Sequence, residues 1–141
     1  MKAAKAKLRR LQRLERIRAI AKQSAALEAA QAEDTLARLL HLSAHTDRLA
    51  TGYRIKPGPM DGASLQRIST FASALLDMST TTTRDADHAK VHADTKQADL
   101  ARAERRRAAV DDRARLAEQA LEKRGQRHFS SERRRTGTGL E

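Results

Sequence analysis

The stretch "GYRIKPGPMDGAS", residues 52–64, carries both prolines of the chain, its only tyrosine and three of its six glycines. Each proline lacks a backbone donor and pushes the residue before it out of the helical region, so no helix crosses Pro57 and Pro59. On either side lie long runs rich in Ala, Arg, Leu, Gln and Glu, all strong helix formers. One break between two helical runs, about a dozen residues long, predicts a reversal rather than a domain boundary. Asp61 is the natural N-cap of the second helix, and Ser64 is a second candidate.

Heptads extend this reading in both directions. Over residues 5–50, sites spaced from Leu11 and from Leu14 pass through Arg18, Ala21, Ala25, Glu28, Ala32, Thr35, Leu39, Leu42 and Thr46 to Leu49. Most are apolar, as a coiled-coil seam requires. Over residues 64–124 the seam is clearer, running from Leu65 and Ile68 through Ala72 and Leu75 to Ala114, Ala117 and Leu121. A helix of roughly 57 residues, about 85 Å, follows at 1.5 Å per residue. The fold class is therefore all-α, an elongated antiparallel two-helix coiled-coil hairpin over residues 1–127. Its helices span 5–50 and 64–124, joined by a turn at 51–63. Gly125 is the expected stop of the second helix, leaving 128–141 as a flexible basic tail. Within the second helix, "MSTTTT" (78–83) sets β-branched residues in a row, which leaves either a weakened continuous helix or a kink.

Composition narrows the function. There is no Trp, and Tyr53, Phe71 and Phe129 are the only aromatics. Aromatics dominate ordinary cores, so a core thick enough to enclose a pocket is not expected, and the fold is marginal until a partner stabilises it. No cysteine means no disulfide framework. No apolar run is long enough for a bilayer span, and the basic start lacks the apolar segment of a secretory signal. The reading is a cytoplasmic protein.

The charge is unevenly placed. Residues 1–22 hold nine Lys/Arg and one acid, residues 102–141 twelve against seven, and residues 23–101 eight against ten. A hairpin brings the two basic segments to one end, where their field attracts acidic surfaces or phosphates. If Ala50 faces Ser64, facing residue numbers sum to about 114, which sets Arg18 near Lys96 and Arg107 near Lys7. Like charges at a seam either splay, meet an acidic third surface, or snorkel outward.

Other chemistries find little support. His41/His45 and His88/His92 have the i, i+4 spacing of metal ligands. The facing rule separates the two pairs by roughly 24 Å along the axis, so no metal site is expected. No phosphate loop or nucleophile elbow occurs, and acids such as Asp111 and Asp112 sit among arginines as salt-bridge partners. We expect no enzyme and no cofactor. Nucleic acid is the main rival partner, through "RAERRR" (102–107) and "SERRR" (131–135), but stacking aromatics are absent. In "LRRLQRLERIRAI" (8–20) the apolar residues recur every third position and drift around the helix, which argues against membrane insertion. A plain structural scaffold is a third class.

The layout resembles the flagellar FliJ family and its type III secretion counterparts. These are small, basic, cytosolic antiparallel coiled-coil hairpins that form the central stalk of an export ATPase ring. The resemblance covers residues 5 to about 127 and rests on length, charge placement and architecture. Its closest local match is "LQRISTFASALL" (65–76), where Phe71 and Leu75 form an F-x₃-L arrangement like the one family members turn towards the export gate. Leu42 is the helix-one counterpart; the family's aromatics late in that helix are replaced by "LLHLSAHTDRL" (39–49). The resemblance implies a non-enzymatic coupling protein, peripheral to the inner membrane at the export apparatus. Lys7, Arg9, Arg10, Arg13, Arg16, Arg105, Arg106 and Arg107 would meet the export ATPase hexamer. Phe71, Leu75 and Leu42 would meet the export gate protein or export chaperones.

Overall fold

The computed structural model describes residues 1–54 and 61–136. The chain is all-α: α1 spans Lys2–Arg54 and α2 spans Gly62–Thr136, and no strand occurs among the described residues. The two helices pack against each other antiparallel. Residue pairs that touch across them include Glu15 with Arg107, Glu28 with Lys96, Ser43 with Thr83, Asp47 with Ser79 and Tyr53 with Phe71. Each pair of numbers sums to between 122 and 126, which is the signature of a hairpin. The expected sum of 114 is corrected by about ten, because α2 runs past the end of α1 before Phe71 meets Tyr53. Arg107 accordingly pairs with Glu15 rather than lying opposite Lys7, and Lys96 pairs with Glu28 rather than lying near Arg18.

Both helices are longer than the 5–50 and 64–124 expected. Pro57 and Pro59 lie outside the described residues, as do residues 137–141. Asp61 does cap α2: the Ser64 backbone N–H donates to its carboxylate at 2.8 Å, and the Leu65 N–H donates to its carbonyl. At the other end Gly125 does not stop the helix, and residues 128–136 are helical instead of a loose tail. A glycine costs a helix only about 1 kcal/mol, and Gly125 adopts no positive φ. Beyond it, Arg133 and Arg134 suit the negative end of the helix dipole.

The chain forms two compact units, and each helix contributes a segment to each. The first comprises residues 1–25 and 100–141; the second comprises residues 26–99. In the second unit the buried side chains of the seam are mostly small: Ala29, Ala32, Ala50, Ala72, Ala86 and Ala93 are buried, with Leu75 the one large buried member, while Leu36, Leu39 and Ile68 are half-buried. Hydroxyls complete it. Ser79 donates to Asp47 at 2.6 Å, Ser43 and Thr83 share a 2.9 Å hydrogen bond, and buried Thr46 and Thr82 donate to carbonyls four residues back. That backbonding satisfies each hydroxyl inside the helix, and the helix runs unbroken through the threonine run.

In the first unit the seam is thinner and charged. Val110 is its buried residue, flanked by half-buried Leu8, Leu11, Leu14, Ala103 and Ala114. Two ion pairs cross it: Arg107 to Glu15 at 3.2 Å, and Lys22 to Glu104 at 3.7 Å.

The α2 seam is the expected one, except that Leu65 is exposed. On α1 only half of it holds. Leu11, Arg18, Ala25, Ala32, Leu39 and Thr46 face inward, but their expected companions give way to the next residue along. Glu15, Lys22, Ala29, Leu36, Ser43 and Ala50 are half-buried or buried, while Ala21, Glu28, Thr35, Leu42 and Leu49 are exposed and Leu14 sits at the margin. The rotation has a physical cause. It lets Glu15 and Lys22 reach their partners on α2 and puts alanine at positions 29 and 50, each only 1% exposed.

Candidate partner-binding surfaces

The first unit unites the two basic segments. Residues 1–25 hold nine Lys/Arg and one acid, and residues 100–141 hold twelve against seven, so this unit carries a net +13. The second unit, with eight bases against ten acids, carries −2. All eight cations expected to meet a partner lie in the first unit. Lys7, Arg9, Arg10, Arg13, Arg16, Arg105 and Arg106 are exposed; Arg107 is half-buried and engaged with Glu15.

Geometry on α1 explains why so much charge is left over. Its seam takes one residue in three or four, so Lys2, Lys5, Arg9, Arg13 and Arg16, at spacings of three and four, form a stripe on the opposite side. Lys2, Lys5, Arg9, Arg10 and Arg13 surround Ala6 in a shallow groove. Glu15, the only acid before residue 28, is turned inward to Arg107. The stripe therefore has no carboxylate of its own within ion-pair reach. Ile17 and Ile20 lie at its end, both more than half exposed.

On α2 the outward cations are partly answered. Arg115 bonds Asp111, which with Asp112 holds the guanidinium more firmly protonated than usual. Arg133 sits over the exposed Phe129 ring at 5.9 Å.

The three residues expected to face an export gate all lie in the second unit, but they are not gathered. Leu75 is only 8% exposed and belongs to the seam, whereas Phe71 is 47% exposed. Leu42 is exposed on α1, eleven residues before Tyr53, which is about 16 Å by helical rise. Tyr53 is the residue that sequence reasoning missed. Its ring meets Phe71 edge-on at 5.0 Å and 80°, a favoured aromatic geometry. Its signal was its place as the only tyrosine beside the break; the wrong register hid its partner.

The corrected register also revises the histidines. His88 falls level with about residue 37, not 26, and so lies close to His41 along the axis. His41, however, stands between seam sites 39 and 43 and points away from α2. All four imidazoles of the two pairs are exposed. Among the described residues no three His, Cys, Asp or Glu side chains gather as a metal site, and no helix is long and apolar enough to cross a membrane. No family model matches the chain, and no curated protein or solved structure does so either.

Proposed function

We propose that this chain is a non-enzymatic coupling protein, the central stalk of a flagellar or type III protein export ATPase. The observation that carries this reading is the first unit, in which both basic termini form one helical pair with a large uncompensated positive charge. Such a pair attracts an acidic surface of matching shape, and its thin, charged seam leaves stability to be supplied by binding. The export ATPase hexamer is the partner suggested by the FliJ resemblance, with Lys7, Arg9, Arg10, Arg13, Arg16, Arg105 and Arg106 presented to it. Phe71, backed by Tyr53, would be the contact towards the export gate or chaperones, with Leu42 separate and Leu75 serving the seam. The place of action would be the cytoplasmic face of the inner membrane.

The test adds the purified chain to an export ATPase from the same source. Promotion of hexamers and faster hydrolysis are expected, both lost on deleting residues 1–22. No change in either overturns the reading. If the chain instead binds DNA or RNA at physiological salt with a steep log–log salt slope, the nucleic-acid alternative replaces it.

A further inference from the structure

The two sides of the helical pair in the first unit differ. On one side lie the acids and their partners: Glu15 with Arg107, Lys22 with Glu104, and Asp111 with Arg115. On the other side Ala4, Lys7, Ala117, Ala120, Leu121 and Arg124 line a groove between α1 and α2. Helical spacing extends this second side. From Lys7 the same face of α1 passes through Leu14 and Arg18 to Ala21, with Arg10 and Ile17 at its outer edge. From Arg124 the same face of α2 passes back through Arg113 to Arg106. Among the described residues no acid lies on either strip between positions 4 and 21 of α1 or 106 and 124 of α2. Glu15, Asp111, Glu118 and Glu122 lie on the far side of the seam, as does Glu104 just beyond, and Asp112 is on the outer face of α2.

Arg18 gives this groove its chemistry. It occupies a seam position, and its Nε–H is buried with no hydrogen-bond partner. The register sets it level with Arg106, between the layers of the two cross-helix ion pairs, each of which has its own carboxylate. Burying a guanidinium N–H without an acceptor is unfavourable, and Leu would fill a seam site better. The rotation of α1 adds an apolar component. Leu14 is turned from the seam to its margin and Ala21 out to the surface, beside Ile17, which is 61% exposed. Apolar residues at 14, 17 and 21 have the spacing of a second seam.

We propose that this acid-free groove is the seat of a third helix, supplied by a partner, amphipathic and acidic, which places a carboxylate on Arg18. Its apolar stripe would cover Leu14, Ile17 and Ala21. Its flanking Asp or Glu residues would meet Lys7 and Arg10 on one side and Arg106, Arg113 and Arg124 on the other. A carboxylate takes the Nε–H and one terminal N–H of Arg18 together, a side-on bidentate pair that lysine cannot form. The inference deepens the reading of the first unit as the partner-binding end, but does not need that partner to be an export ATPase.

The full chain is titrated with a labelled synthetic helix of about three heptads, Leu and Ala on one face and Glu on its flanks. The readout is fluorescence anisotropy at about 150 mM salt. A scrambled peptide of the same composition, duplex DNA and anionic phospholipid vesicles are the comparison arms. Arg106→Glu and Ile17→Ser, both at exposed sites, are each expected to weaken peptide binding about tenfold or more. Arg105→Glu, the same charge change on the outer face of α2, is expected to weaken it less than threefold. Arg18→Leu is expected to raise the melting temperature of the free chain while weakening the peptide at least tenfold, a split that a merely structural residue would not give. Equal binding of the scrambled peptide, equal losses at positions 105 and 106, or tighter binding of DNA or vesicles overturns the proposal. Peptide binding with no effect on an export ATPase would leave the groove standing and remove the stalk; an ATPase response unaffected by Arg106→Glu and Arg18→Leu would do the reverse.

Discussion

The two units are cut from the same two helices, yet they solve the problem of a narrow seam differently. The second unit has close to no net charge and closes its seam mainly with buried alanines, Leu75 and paired hydroxyls, with one ion pair, Glu28 to Lys96, across it. The first unit is strongly cationic and closes its seam with half-buried side chains and two ion pairs. Small buried residues fix register by fit, since any enlargement separates the helices. Charged residues fix it less tightly and leave groups that a partner can use. The difference suggests a division of labour, one unit holding the hairpin together and the other reserving its polar groups for binding.

The largest expected effect tests that division directly. Leu75→Ala removes the one large buried side chain of the second seam and should cost about 2–5 kcal/mol. Leu121→Ala, at a half-buried position of the first unit, should cost well under half as much. Denaturant unfolding monitored by circular dichroism measures both. Equal losses would mean that the first unit has a core as consequential as the second, and the comparison would fail.

Hydroxyl and ionic seams should then part on salt. Ser79→Ala leaves Asp47 without its donor and should cost about 1–2 kcal/mol, nearly independent of salt. Glu15→Gln weakens the pair with Arg107, whose members are 25% and 42% exposed. Its cost should be no more than about 1 kcal/mol at low salt and should fade towards 1 M, where screening acts within about 3 Å. A salt-dependent Ser79→Ala, or a salt-independent Glu15→Gln, would invert the assignment.

How much of this the sequence announced depends on the kind of signal. Two prolines in one stretch could only end a helix, and thirteen apolar sites in one register located the α2 seam. The α1 seam was harder, because Leu14, Leu42 and Leu49 invite a hydrophobic reading while the structure prefers Ala29 and Ala50, whose small size matters only once a partner helix is near. Register across the hairpin depends on the path of the reversal, which no periodicity encodes, so Tyr53–Phe71 and Glu15–Arg107 were both out of reach. Gly125 misled because a helix stop needs more than one weak residue. The concentration of positive charge was legible by counting. Its division into an acid-bearing and an acid-free side required the register.

The smallest expected effect sharpens the boundary of the second unit rather than its core. Asp61 is held below the ordinary carboxylate value of 3.8 by the Ser64 hydroxyl and by the Ser64 backbone N–H. A folded-state value below the unfolded one means that the cap stabilises fully above the unfolded pKa and loses its contribution as pH falls through the folded value. Asp61→Ala should therefore lower the melting temperature slightly near neutral pH, and the gap from the parent chain should close as pH falls below 3.8. Asp61→Asn keeps an acceptor for the Ser64 N–H without a titrating proton, so it should retain part of the stabilisation with no pH dependence of its own. A gap for Asp61→Ala that stays constant to about pH 2 would assign its effect to backbone preference rather than to the charged cap.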